Sequence, residues 1–287
     1  ATASFAIPEA LTSITIKHEG KNTALSSLRV AGGSTTELTA TGWYYGNKVY
    51  SADTSFTWSV SDALGTIDED GTFTAVQTGR DVTGTLTVTY GETSCTLPVT
   101  VGSSQPFDDT KGHWAESYIT ELYYAGTLQG SEKNGKLYYR PDASMTRQEF
   151  IVAMMRYLGT DLSAYASVQL PFDDSGSIAS WAKSAMQAAY QLGYLTGSKT
   201  NGKLLAKPSS TISRQEAMTI LSRTKDFADA DLNVLSAFSD SGKIADWART
   251  ALAQMTQQKI ISGSKGKLNP TGKVTRAEVA KMLYMLS

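Results

Sequence analysis

The chain of 287 residues is 41% hydrophobic and 18% charged, an ordinary globular composition with length for two or three domains. A net charge of −1 provides no basic field for nucleic acid, and no apolar run reaches the roughly 18 to 20 residues of a membrane span. Ala1 opens no signal-peptide pattern, so the expectation is a cytosolic chain or one whose targeting segment has been removed, and the single cysteine, Cys95, excludes an internal disulfide framework and a Cys-rich zinc site.

Residues 1 to about 103 are rich in Thr, Ser, Val and Gly and alternate with period two in "LTSITIKHE", "TTELTATGWYY", "TSFTWSVS", "TGTLTVTYG" and "SCTLPVTVG". Short strands at this spacing, punctuated by "EGKN", "EDG" and "YGE", predict an antiparallel sandwich. Trp58 is the expected core aromatic, and Cys95 shares a buried strand face with Leu97, Val99 and Val101. In "LGTIDEDGTFTA" an Asp-Gly hairpin places Gly71 at positive φ. The acids Asp68, Glu69 and Asp70 lack the alternating ligands of a calcium loop and read as turn residues. This stretch, with its Trp-Ser-Val strand and its last strand ending in Val-Thr-Val, resembles a bacterial Ig-like domain, which implies a spacer or presentation module without catalytic residues.

After the linker "GSSQP" (102–106) the apolar period becomes helical and the chain repeats itself. Phe107 in "FDDTKGHWAESY" recurs as Phe172 in "FDDSGSIASWAKSA" and Phe238 in "FSDSGKIADWARTA". In each copy a helix is expected to start near a tryptophan (Trp114, Trp181, Trp247), with His113, Ser180 or Asp246 at the cap. Its apolar stripe is Tyr118, Ile119 and Leu122, then Ala185, Met186 and Ala189, then Ala251, Leu252 and Met255. A glycine-bearing turn and an "NGK", "NGK" or "KGK" loop follow. Pro141, Pro208 and Pro270 each stand six residues before an arginine. Thr146, Ser213 and Thr275 then cap a second helix, and Glu149, Glu216 and Glu278 complete the capping box. The strongly apolar second helices are expected to pack together as the central core.

The arginines Arg147, Arg214 and Arg276 fall in the first turn of these helices, where the dipole disfavours a cation by roughly 0.3–1 kcal/mol. One such residue reads as a surface side chain snorkelling over apolar neighbours or pairing with an acid such as Asp142. Three at a fixed Pro-x5-Arg spacing favour an anion site, because free first-turn amides and a planar guanidinium converge there. A charged hydrogen bond of roughly 1.5–3 kcal/mol exceeds the dipole penalty. A nearby tryptophan suits the apolar face of a sugar ring, so an acidic saccharide is the ligand this pattern suggests.

The starts "TRQE", "SRQE" and "TRAE", with "FDD…HWA", "FDD…SWA" and "FSD…DWA", resemble three tandem S-layer homology domains over residues 107–287. The expected architecture is thus multidomain. An all-β Ig-like sandwich (1–103) precedes an all-α pseudo-threefold assembly of three helix-loop-helix repeats (104–160, 161–226 and 227–287), with ligand grooves between lobes. The resemblance implies an exported, non-catalytic module at the bacterial cell wall or S-layer, holding secondary cell-wall polysaccharide non-covalently, commonly through pyruvylated N-acetylmannosamine. In that role Arg147, Arg214 and Arg276 would grip the ketal carboxylate, and Trp114, Trp181 and Trp247 would line the grooves or serve the core. Gly130, Gly197 and Gly263 would admit the sugar closely or end the first helix. Gln148 and Gln215 depart from the family's usual alanine, and Lys259 stands where the other copies have Gly126 and Gly193. No cofactor, nucleic acid or membrane span is expected.

The sequence also fits other functions. An enzyme would have only His18 and His113 for histidine chemistry, while the pairs Asp108–Asp109 and Asp173–Asp174 read as turn and cap residues before they read as glycosidase acids. A lattice protein that self-associates through its sandwich is a second alternative. Peptidoglycan as the wall ligand is a third.

Overall fold

The computed structural model describes residues 11–45, 47–48 and 55–286, so the first ten residues of the expected sandwich lie outside it. The chain divides into two compact units between Pro106 and Phe107.

Among the described residues the first unit has nine strands: β1 (Ser13–His18), β2 (Leu28–Ala31), β3 (Thr35–Tyr44), β4 (Asn47–Lys48), β5 (Thr57–Val60), β6 (Gly65–Ile67), β7 (Thr72–Ala75), β8 (Val82–Tyr90) and β9 (Thr93–Gly102). One sheet runs β1-β3-β7-β6 with β4 beside β3, and the other runs β2-β9-β8-β5. The period-two residues Ile14 and Ile16, Leu86 and Val88, and Leu97, Val99 and Val101 share one apolar cluster. The pairing is antiparallel except that β2 runs parallel to β9, a departure from the all-antiparallel expectation. Trp58 and Cys95 are only partly buried and border the cluster. Burial pushes the Cys95 thiol up. The Asp68 carboxylate accepts the amides of Asp70 and Thr72 at 3.1 and 2.8 Å, and Gly71 has φ +87°, as the hairpin requires.

The second unit corrects the all-α expectation, because its fold is mixed. The first repeat contains α1 (Glu116–Tyr124), a hairpin of β10 (Ser131–Lys133) and β11 (Lys136–Tyr138), and α2 (Arg147–Tyr157). The second contains α3 (Lys183–Gln191), a hairpin of β12 (Ser198–Thr200) and β13 (Lys203–Leu205), and α4 (Arg214–Ser222). The third contains α5 (Asp246–Gln257) and α6 (Arg276–Tyr284). The "NGK" segments are two-residue hairpin turns, with Asn134 and Gly135, and Asn201 and Gly202, all at positive φ. The third loop is shorter, and only a single bridge from Ser264 to Lys267 forms there.

The first helices bury the expected stripe except for the partly buried Tyr118, with Ile119, Met186 and Leu252 fully enclosed. Their caps differ from expectation. Ala115, Ala182 and Ala245 hold the cap positions, and none offers a side-chain bond. The helix ends are marked by Gly126, Gly193 and Lys259, all in the left-handed region. The second helices find their main partners in the first helix of the following repeat, with α2 on α3, α4 on α5 and α6 back on α1. The second helices also share one apolar cluster, in which α2 meets α6, but these cyclic pairings are the larger contacts.

All three second helices carry complete capping boxes. Around them the three repeats form a closed ring of backbone bonds. Met145 N–H donates to Val274 O, Val274 N–H to Ile212 O and Ile212 N–H to Met145 O, at 3.1, 3.1 and 3.0 Å. The next two amides of each helix reach the proline turn of the following repeat. Arg147 and Gln148 donate to Ser210 and Pro208, Arg214 and Gln215 to Gly272 and Pro270, and Arg276 and Ala277 to Ala143 and Pro141.

Buried Gln148 and Gln215 have a related role. Their Oε1 atoms accept the amides of Ala179 and Ala245 at 3.0 and 3.1 Å, just ahead of the first helix of the next repeat. The corresponding amide in the first repeat, Gly112, donates instead to Glu116 Oε2 at 2.8 Å, which leaves Ala277 sufficient in the third. The acids ahead of each first helix hold the proline turn. Asp109 accepts the amides of Tyr139 and Arg140, Asp174 those of Ala206 and Lys207, and Asp240 those of Leu268 and Asn269, all at 2.7–2.9 Å. Burial works to raise the Asp240 carboxyl, but these amides hold it below the usual range. Removing the carboxylate in Asp174→Ala leaves two amides without their acceptor. We expect a loss of about 2–3 kcal/mol in equilibrium denaturation, with Asp174→Asn recovering part of it.

Candidate functional site

The motif arginines lie at helix starts where the dipole is opposed by neighbours already in place. The first two amides are taken by carbonyls of the next repeat, and the third faces the cap hydroxyl. The free amides expected for an anion are therefore engaged. Arg147 Nη2 donates to Glu216 Oε1, and Arg214 Nη1 to Glu278 Oε1 at 2.7 Å, so the capping glutamate of one repeat also receives the arginine of the repeat before it. Arg214 Nε further donates to Leu268 O at 2.9 Å, whereas Arg147 Nε is buried without a partner.

Arg276 follows another course. Its Nε donates to Tyr139 O at 2.7 Å and its Nη2 to Gln129 O at 2.9 Å, and the guanidinium lies 4.5 Å over the Tyr139 ring. Tyr139 stands where the other repeats carry Ala206 and Leu268, so the ring beneath Arg276 has no counterpart at that position in them. The Tyr139 hydroxyl donates back to Arg276 O at 3.0 Å, and burial pushes its phenol up to about 12 although Arg276 opposes the shift.

Trp114, Trp181 and Trp247 are 55, 57 and 57% exposed, which removes them from the core and sets them at the mouths of cavities. Three grooves result, with volumes of about 360, 690 and 230 Å³. The first brings together Arg147, the turn containing Gly197, Glu216, Arg223 and Trp247. The second is formed by Arg214, the turn containing Gly263, Glu278, Lys281 and Trp114. The third has Arg276, Gln129, Glu149, Arg156 and Trp181. The cyclic rule is the same each time: the arginine comes from one repeat, the turn and second helix from the next, and the tryptophan from the one after.

The glycines act through packing. A Cβ on Gly130, Gly197 or Gly263 would lie 2.4, 2.6 or 2.8 Å from the ring of Phe107, Phe172 or Phe238. Helix termination belongs to Gly126, Gly193 and Lys259 instead. Gly197 and Gly263 also line their grooves. His113 holds the Ala115 amide through Nδ1 at 3.1 Å and meets Asp142 through Nε2 at 3.3 Å. It thus steadies the turn ahead of the Ala115 cap, whereas Ser180 and Asp246 provide no side-chain cap. Of the acids considered for glycosidase chemistry, Asp108 pairs with Lys136 at 2.6 Å, Asp173 accepts the Leu204 amide at 2.7 Å, and Asp109 and Asp174 hold the proline turns. Sequence reasoning missed the second-helix cations Arg156, Arg223 and Lys281. The signal for them was a basic residue on an otherwise apolar helix.

A ring of three repeats in which no single repeat owns a complete groove defines a tandem module built as a triplet. The repeats are S-layer homology domains, with the family model matching residues 106–151, 171–218 and 237–280. An amylopullulanase of Thermoanaerobacterium thermosulfurigenes is 28% identical over 205 residues, covering 70% of this chain and 10% of that protein. The exoglucanase XynX of Acetivibrio thermocellus is 28% identical over 240 residues, 80% of this chain and 21% of that protein. A surface-layer 125 kDa protein of Lysinibacillus sphaericus is 32% identical over 192 residues, 63% of this chain and 15% of that protein. The chain thus spans about a tenth to a fifth of the length of these relatives. Its domains and relatives support attachment at the bacterial cell surface.

Two outcomes follow from this geometry. Burial works to raise the Glu216 carboxyl, but the Ser213 amide, Arg147 and the Ser213 hydroxyl together hold it below the ordinary glutamate range. A lowered folded value contributes stability that is fully present above the ordinary range and is lost as the pH falls through it. Denaturation midpoints should therefore decline in acid, and Glu216→Gln should be less stable at neutral pH with a shallower acid decline. Gly130→Ala should cost about 1–3 kcal/mol in the same assay, because the added methyl meets Phe107 and Tyr138 O.

Proposed function

We propose that the three S-layer homology domains hold an exported protein to the wall without covalent bonds, by binding an acidic secondary cell-wall polysaccharide, its pyruvylated form above all. The carrying observation is the threefold recurrence of one groove lined by an exposed tryptophan and by at least two cations beside a single glutamate. The tryptophan offers a flat apolar surface to a sugar ring, and the excess of cations suits a ketal carboxylate. Binding at several grooves on a repeating polymer multiplies retention without new contacts.

In this reading the module is not an enzyme, and the β-rich unit is a bacterial Ig-like spacer. The likeness to a surface-layer protein of Lysinibacillus sphaericus favours a second reading for the complete protein, in which the anchored part belongs to a surface lattice. A concentration-dependent mass in light scattering would support it, and a fixed monomer would count against it.

The primary test is calorimetric titration of the chain with purified pyruvylated wall saccharide, beside the same saccharide after mild-acid removal of the ketal. We expect binding to the intact form only. Equal binding to both forms overturns the acidic-ligand reading. Retention on walls stripped of the polysaccharide transfers the role to peptidoglycan.

A further inference from the structure

We infer that the ligand's carboxylate is held by the cation on the second helix of each groove, Arg156, Arg223 or Lys281, while the motif arginines shape the wall behind it. The inference rests on the acidic-saccharide reading and names the residues that would confer its selectivity.

The motif arginines are already committed. The side chains of Arg147 and Arg214 are only 12 and 11% exposed, and each is paired with a capping glutamate. An anion brought to either would meet Glu216 or Glu278 at the same place, and like charges at contact repel. Arg276 spends Nε and Nη2 on backbone carbonyls and lies on Tyr139. The first-turn amides beside these arginines are bonded to the next repeat.

The second-helix cations differ in carrying no capping glutamate as a partner. One lines every groove, and among the described residues no carboxylate forms an ion pair with any of them. Arg156 and Arg223 are exposed and Lys281 is half-buried. Arg223 Nη1 donates to Tyr194 O at 2.8 Å and to Thr196 Oγ1 at 3.3 Å, which anchors the guanidinium at the groove's turn.

The comparison among repeats carries the argument furthest. Arg156 and Arg223 stand seven residues after the capping glutamate, where the third repeat has Met285. There the cation is Lys281, three residues after the glutamate, where the first two repeats have Val152 and Thr219. Positions four residues apart are neighbours on one helix face, so the charge has moved by one turn and stayed in the groove. A merely solvated surface charge has no reason to follow the groove in this way.

The test uses the full chain carrying Arg156→Ala, Arg223→Ala and Lys281→Ala together, titrated with the pyruvylated saccharide and its ketal-free form. We expect the wild-type chain to prefer the intact form. The triple variant should lose roughly tenfold to a hundredfold in affinity for it, the range of a charged hydrogen bond, and bind both forms alike with an unchanged unfolding midpoint. Adding Met285→Arg to the triple variant should restore the preference at one groove, which a structural role would not do. A triple variant that keeps the wild-type preference, or a folded Met285→Arg variant that stays indifferent, overturns the inference and returns the grip to the motif arginines. If the wild-type chain itself binds both forms alike, the acidic-ligand reading falls first and this inference falls with it.

Discussion

The C-terminal unit is organised around the amides that begin α2, α4 and α6. A helix leaves its first four N–H groups without partners inside itself, and each one buried unmade costs roughly 1–3 kcal/mol. Here the cap hydroxyl and the capping glutamate satisfy two positions locally, and the proline turn of the next repeat supplies carbonyls for two more. The same neighbour relation closes the ring through Met145, Ile212 and Val274. The three repeats are bound by polar requirements as well as by one continuous apolar core.

This arrangement accounts for a cation at the positive end of a helix. The dipole penalty of roughly 0.3–1 kcal/mol is set against surrounding carbonyls and a capping carboxylate, and an ionic hydrogen bond of roughly 1.5–3 kcal/mol outweighs it. Arg147 and Arg214 find that carboxylate on the following helix. Arg276 finds two carbonyls and an aromatic ring. The recurrence of the arginine is therefore explained by the ring itself, and the selectivity of the groove is free to lie on another residue.

What depends on near neighbours was legible in the sequence. The capping boxes, the apolar stripes of the first helices, the Asp-Gly hairpin at Gly71 and the register of the triplication all follow from residues a few places apart. The Asn-Gly hairpins were equally local, but the helical period around them drew the reading toward plain loops. The contacts that build the grooves join residues far apart in the chain, such as Arg147 with Glu216 or Arg276 with Tyr139. No periodicity encodes such pairs. Gln148 and Gln215 show the same limit. They looked like departures from a family pattern until the amides of Ala179 and Ala245 appeared opposite them, with Glu116 doing the equivalent work where the glutamine is missing.

The cyclic composition of the grooves ties their number to the integrity of the whole. Because each one borrows a wall from every repeat, losing a single repeat would dismantle all three together, and two repeats would not keep two working sites. The closure of α6 on α1 lies near the end of the described chain, where Lys225 also donates to the carbonyl of Leu286. A cut there would undo the seam between the third repeat and the first, two of the three partners in every groove. On the proposed reading of the grooves, attachment would then fail as a single event, where independent sites would give way one at a time.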